Sequence, residues 1–321
     1  MRTLINIQHT RHRPGIFLLP LLVALLTGCA TPQTRQLLAS ADAWPPTVEL
    51  STVPFFPQED YQCGPAALAT VLNTTGLTVT PDELAPQIYL PKRQGSLQLE
   101  LLAATRRHAR IPYLLKPQLE AVMSEVVAGN PVLVLQNLGL AVMPVWHYAV
   151  VVGFDLEVGE VVLRSGREER SITPLKTFEH TWSRSDYWAV VVLPPDRLPQ
   201  TVEERPYLEA VLPLEKLHHW QEAASAYTTA LTRWPQSLGA AMGLGNSRYA
   251  LNDLSGAEAA FRAATHHHPQ SAAAFNNLAQ TLAEQQRWYE AEAAAQQAVT
   301  IGGNSAALFH QTLEQIQSHT N

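Results

Sequence analysis

Pro57-Gln58-Glu59-Asp60-Tyr61-Gln62-Cys63-Gly64-Pro65-Ala66-Ala67-Leu68 is the stretch on which the reading of this chain turns. A polar approach stops at Cys63, and an apolar run then continues to Asn73. Asp60 or Gln62 stands before the run and Pro65 suits a first helical turn, so a helix is predicted over 64–73 with Cys63 at its start. A thiol there faces the positive end of the helix dipole and its free N–H groups, which lower its pKa. The same N–H groups can hold an oxyanion when a carbonyl is attacked. The competing reading of Cys63 is an inert core thiol. Glu59 and Asp60 fit capping or solvent contact better than a catalytic carboxylate pair.

A thiolate nucleophile needs a base that later protonates the leaving amine. His147 answers that need, at the start of the predicted strand His147-Tyr148-Ala149-Val150-Val151-Val152-Gly153. A helix-borne Cys followed much later by a strand-borne His is the chain order of papain-like enzymes. Gln58, the run Gln-Cys-Gly-Pro-Ala-Ala at 62–67 and the strand at 147–153 resemble the C39 peptidase family, which includes the domains that trim bacteriocin leaders. The resemblance covers roughly 51–193. It implies an α+β papain-like cysteine peptidase domain with Cys63 as nucleophile, His147 as base and Gln58 as side-chain oxyanion donor. Gln58 lies five residues before Cys63 where six is usual, and Gln62 is the fallback donor. Family members with double-glycine specificity are joined to an ABC transporter, and that specificity is not carried over here.

The third catalytic position departs from the family pattern. Asp155 lies eight residues past His147, about 26 Å along an extended strand. Phe154 to Gly159 reads instead as a hairpin turn, which folds Ser165, Gly166 and Arg167 back beside His147. Ser165 then stands where relatives often carry Asp, and a hydroxyl orients an imidazole through a weaker, neutral hydrogen bond. Glu168 and Glu169 are the alternatives if the loop curls back.

Outward from these motifs, helices are predicted over 64–73, 81–88, 97–108 and 118–128, and strands over 131–135, 147–153, 160–164 and 188–193. A Pro-rich break at 194–203 reads as a linker. From 204 the chain turns Ala-rich and repeats. Pro235, Pro269 and Gly303 recur at one spacing, as do Ala223, Ala257 and Ala291, and again Ala230, Ala264 and Ala298. Tyr227 and Phe261 share a register, and so do Leu244-Gly245 and Leu278-Ala279. This pattern resembles the tetratricopeptide repeat and implies an all-α solenoid over 204–321, about three repeats and a terminal helix, able to recruit a protein partner. Trp220 and Trp288-Tyr289 occupy matching places and read as packing residues. Adjacent histidines at 266–268 do not face one site on a helix, so no metal is expected there.

Arg2, Arg11 and Arg13 precede an apolar run from Ile16 to Leu26, the length of a signal-peptide core and shorter than the ~20 residues that span a bilayer. The run ends in Leu26-Thr27-Gly28-Cys29, which resembles the bacterial lipobox. That resemblance implies a signal peptide over 1–28, lipidation of Cys29 and, with Ala30 next, an outer-membrane anchor facing the periplasm. Residues 29–50 then read as the lipidated N-terminus and a tether. With Cys29 acylated, Cys63 is a lone thiol in an oxidising compartment. A formal charge of −6 with no basic block makes nucleic acid a poor partner.

The expected activity is cleavage of a peptide or protein by Cys-His nucleophilic catalysis, without a cofactor, on substrates chosen by the loops between about 76 and 145. The competing expectations are an inactive peptidase-like scaffold, or an amidase or transglutaminase-like acyl transferase on the same pair.

Overall fold

The computed structural model describes residues 31–58, 62–93 and 95–320. The signal segment, Cys29, Glu59, Asp60 and Tyr61 lie outside the described residues. The first element among the described residues is helix α1 (Pro32–Ala39), followed by strand β1 (Thr47–Glu49). Helix α2 (Cys63–Asn73) follows, then α3 (Pro81–Ile88), the short strands β2 (Tyr89–Leu90) and β3 (Gly95–Ser96), and α4 (Gln98–Arg107). Strand β4 (Ile111–Leu114), helix α5 (Leu119–Val127) and strands β5 (Val132–Asn137), β6 (Trp146–Asp155), β7 (Glu160–Ser165) and β8 (Glu168–Pro174) come next. Helix α6 (Leu175–Ser183) and strand β9 (Ala189–Leu193) close the domain.

Local chemistry accounts for the helix starts. Thr80 and Glu83 form a reciprocal cap on α3: Glu83 N donates to Thr80 Oγ1 at 3.3 Å, and Thr80 N to the Glu83 carboxylate at 2.8 Å. Pro81 sits at the first turn, where its missing N–H costs nothing.

The main sheet is antiparallel in the order β4-β9-β5-β6-β7-β8, with β1 pairing the far end of β6 beyond β5. Successive residues face opposite sides. Leu133, Leu135, Val150 and Val152 pack under α2, α3 and α4. Val132, Val134, Ala149 and Val151 pack under α5 and α6 on the other face. Both faces are covered, which is why β5, β6 and β9 read as nearly continuous apolar runs. Gly153 has to be glycine: a Cβ there would stand 2.5 Å from the Val48 carbonyl oxygen of β1.

The stretch expected to be a tether folds instead. In its described part, 31–50, Leu37 is fully buried in the core under the sheet and β1 joins β6. The buried Glu179 carboxylate of α6 accepts from Gln33 N at 3.0 Å and Thr34 N at 2.6 Å, and Leu119 N donates to Gln33 Oε1 at 2.5 Å. A polar composition hid this, because helix α1 is held mainly by hydrogen bonds and one leucine. The break at 194–203 is likewise pinned, with Gln200 N donating to buried Glu125 at 2.7 Å and Glu203 N to Tyr113 Oη at 3.1 Å.

The remaining helices are α7 (Glu204–Lys216), α8 (Trp220–Arg233), α9 (Leu238–Ala250), α10 (Leu254–His267), α11 (Ala272–Glu284), α12 (Trp288–Ile301) and α13 (Ala306–Thr320). They form three helical hairpins and a terminal helix, as the repeat register predicts. His218, Asn252 and Gln286 each adopt positive φ, 59°, 60° and 60°, at the corresponding turn of the three hairpins. Gly245 explains its register: a Cβ there would stand 2.4 Å from the Phe261 ring. The solenoid is not a separate body, because Tyr207, Val211 and Leu214 of α7 belong to the same buried cluster as the sheet face. Among the described residues no helix is long and apolar enough to cross a membrane.

Candidate active site

Helix α2 begins at Cys63, so the thiol stands at a helix N-terminus, over the end of the sheet. The approach is close because residue 64 is glycine: a Cβ there would lie 2.5 Å from Ser96 Oγ of β3. Strand β6 carries His147 in register with Gln136 of β5. The turn after β6 returns the chain along β7, with Val150 opposite Arg164. It sets Ser165 Oγ 2.8 Å from His147 Nε2, the juxtaposition read from the hairpin. A tight turn at Gly166, φ 60°, then starts β8. Gln58 is fixed by that turn, its N–H donating to Gly166 O at 2.9 Å, while its side-chain Nε2 reaches Tyr148 O at only 3.5 Å.

Gln58, Cys63 and His147 line one cleft of about 830 Å³. With Nε2 engaged by Ser165, Nδ1 is the ring nitrogen left for proton exchange with the thiol. Among the described residues no hydrogen bond joins Cys63 Sγ to the imidazole.

The electrostatics correct one expectation. Burial pushes the Cys63 thiol up, and the backbone hydrogen bonds at Tyr148, Gly64 and Cys63 itself offset this only in part. Burial pulls His147 down, and among the described residues no carboxylate is placed to hold its charged form. The helix N-terminus does act on the thiol in the predicted sense, but desolvation is the larger effect. Both shifts favour the neutral thiol and the neutral imidazole over an ion pair. Tyr148, beside His147, is also pushed up by burial and by the neighbouring thiol, and its hydroxyl donates to Ser96 O at 3.2 Å.

The other candidates lie elsewhere. Asp155 caps the β6–β7 turn, accepting from Glu157 N at 2.9 Å and Val158 N at 3.2 Å. Glu168 and Glu169 are exposed on β8 and make no hydrogen bond to His147. Gln62 is the residue before α2 and makes no side-chain cap. His268 Nε2 lies 2.6 Å from Gln236 O, and among the described residues no group of three or more acidic, His or Cys side chains is placed to hold a metal ion. Trp288 stacks on His319 and Trp220 stands edge-on to His218.

Three features of the cleft escape a sequence reading. Ser96 Oγ is buried beside Gly64 without a hydrogen-bond partner, and nothing in its sequence context signals this. Arg184 donates through Nη1 to the carbonyls of Asn137, at 3.1 Å, and Gly139. Pro144, Val145 and Trp146, at the end of the apolar run 138–146, line the cleft beside His147.

Residues 50–190 match the model of the Peptidase_C39 like family, and residues 208–264 and 243–306 match that of the tetratricopeptide repeat. No curated protein matches the chain. Among solved structures, a putative C39-like peptidase from Bacillus anthracis is 20% identical, covering 46% of this chain and 96% of that one, with a TM-score of 0.39. The peptidase domain of Streptococcus ComA, a bi-functional ABC transporter of a quorum-sensing pathway, is 17% identical over 44% of this chain and 97% of its own, with a TM-score of 0.36. The first tetratricopeptide unit of Spaghetti, bound to an HSP90 peptide, is 16% identical over 36% and 90%, with a TM-score of 0.34.

Proposed function

We propose that this protein, a C39-like peptidase domain followed by tetratricopeptide repeats, is a cysteine peptidase. The observation that carries the reading is the shared cleft. It brings Cys63 at a helix start, His147 at a strand start and Gln58 on the approach to face one volume.

In this mechanism the substrate carbonyl enters beside Cys63. His147 Nδ1 takes the thiol proton as Sγ bonds to the carbonyl carbon. The developing oxyanion is held by the Cys63 N–H and the Gln58 side-chain amide, whose long contact to Tyr148 O leaves it free to turn. The imidazolium then protonates the leaving amine as the C–N bond breaks. Water, deprotonated by the same nitrogen, adds to the thioester carbonyl carbon; the C–Sγ bond then breaks, releasing the acid, and the imidazolium returns its proton to Sγ. Ser165 keeps the ring oriented throughout, without supplying charge.

Anchoring at the membrane is part of the reading and rests on the lipobox-like Leu26-Thr27-Gly28-Cys29. Two or more acyl chains bind stably, since each buried methylene contributes about 0.8 kcal/mol. The repeats serve protein recruitment, the general role of such solenoids. Metabolic labelling with an alkynyl fatty acid, retained by the wild type and lost in Cys29→Ser, checks the anchor.

A second reading has specific support: the upward-shifted thiol and a serine at the third position both suit an inactive scaffold. One experiment separates the two. A peptide pool from a digested proteome is incubated with the wild type and with Cys63→Ala, and new termini are sought by mass spectrometry. Termini made by the wild type alone support catalysis, whereas none with either protein removes it and leaves the scaffold.

A further inference from the structure

The segment between β5 and β6 exposes an unusual set of side chains. Leu140 is 63% exposed, Val142 85%, Met143 74%, Val145 57% and Trp146 51%. Scattered exposed apolar residues are ordinary, but a contiguous set marks a contact surface.

This segment is also built. Leu138 N donates to Val145 O at 2.9 Å, and Leu140 and Met143 exchange backbone hydrogen bonds at 3.2 and 3.1 Å. The Asn137 side chain accepts from Gly139 N at 3.0 Å and Val145 N at 2.9 Å, closing the base. Arg184 braces it through the Asn137 and Gly139 carbonyls. Gly139 permits the narrow neck, because a Cβ there would collide with the Met143 carbonyl oxygen and Val145 N. The hairpin thus holds its apolar side chains out in water on a hydrogen-bonded frame, a pre-organised surface that loses little freedom on binding.

Its position says what covers it. Val145 and Trp146 continue from the hairpin into the cleft that holds Cys63 and His147. Leu97 lines the same cleft, and Leu99, two residues further on, is 73% exposed. A chain lying in the cleft meets Val145, Trp146 and Leu97. From Trp146 to Met143 the hairpin extends three residues, about 10 Å at 3.3 Å each, enough for about three residues of an extended substrate.

We propose that this hairpin is the specificity surface of the site and that its substrates are polypeptides with large apolar side chains close to the scissile bond. The inference rests on the peptidase reading for the word substrate, but the surface itself is tested without cleavage.

The full chain carrying Cys63→Ala is titrated against two dansylated peptides of equal length and net charge. One is rich in Leu, Val and Phe, and in the other these are replaced by Ser and Asn. Anisotropy should show the apolar peptide binding about tenfold more tightly, and Val142→Ser with Met143→Ser should weaken it roughly fivefold while leaving the polar peptide unchanged. Both positions are largely solvent-facing, and circular dichroism verifies that the double variant stays folded. Equal affinity for the two peptides, or no loss in the double variant, overturns the proposal. So does capture by phosphatidylcholine or phosphatidylglycerol vesicles that the double variant abolishes while peptide binding is untouched, because the hairpin is then a lipid contact. Apolar-peptide binding with the expected loss, in a protein whose Cys63 form cleaves nothing, sustains the docking surface and removes only the peptidase reading.

Discussion

His147 Nε2 and Ser165 Oγ stand 2.8 Å apart, so the imidazole is oriented by a hydroxyl that can either accept or donate. A carboxylate would force the proton onto Nε2 and keep Nδ1 free as a base. Serine permits both tautomers and gives the imidazolium no countercharge.

Ser165→Asp is therefore predicted to raise the His147 pKa and to favour the thiolate–imidazolium pair. A hydrogen bond to a charged group contributes about 1.5–3 kcal/mol, so alkylation of Cys63 by iodoacetamide at neutral pH should quicken by roughly ten- to a hundredfold. Stopped-time labelling read by mass spectrometry measures it. An unchanged rate would mean that Ser165 does not act on the ring.

For the wild type, the pH dependence follows from burial. Desolvation disfavours the thiolate, so less of it exists at neutral pH than in a free cysteine, and labelling should climb on the alkaline side of the usual thiol range near pH 8.5. His147 shifts down for the same reason and is already neutral at pH 7, so no second inflection is expected between pH 7 and 8. A labelling plateau reached below pH 7 would contradict the neutral resting pair.

That pair also marks where sequence reading ends. The dipeptide Cys63-Gly64 and the strand from His147 announce themselves through type and order, and the turn at 156–159 is enough to bring Ser165 home. The sign of the thiol shift does not, because it depends on how much of α2 is covered by the sheet and by β3. Strand β8 was missed for a related reason. It lies at a sheet edge, and its charged residues Glu168, Glu169 and Arg170 are exposed, so no apolar run signals it.

Gly64 offers a steric test. Gly64→Ala drives a methyl to 2.5 Å from Ser96 Oγ, and overpacking of this kind costs about 1–3 kcal/mol or displaces β3. Ser96→Gly removes the obstructing atoms, so the double variant should recover most of the loss in denaturant midpoint. A double-mutant cycle measures the coupling, and additive losses would show that the clash is relieved elsewhere.

Tyr207 tests whether the solenoid and the sheet are one cooperative unit. It is fully buried in the cluster that also holds Val134, Val151 and Val191. Tyr207→Ala should cost about 3–5 kcal/mol, as large aromatic truncations do. Calorimetry should show a single transition moving down as a whole. Two transitions, of which only the solenoid's shifts, would mean that the shared core does not couple them.

The N-terminal helix carries the last prediction, since α1 is fastened to α6 chiefly through one carboxylate. Glu179 is almost fully buried and accepts two backbone N–H groups, from Gln33 and Thr34, at the otherwise open N-terminus of α1. Removing it leaves those donors unpaired where water is scarce, which costs about 1–3 kcal/mol per group. Glu179→Ala should therefore release residues 32–39 into faster amide exchange while β6 and β9, buried at the centre of the sheet, keep their protection. Glu179→Gln retains one acceptor oxygen and should lie between the two. Exchange unchanged in α1 would show that Leu37 and the Leu119–Gln33 hydrogen bond hold the segment without the carboxylate.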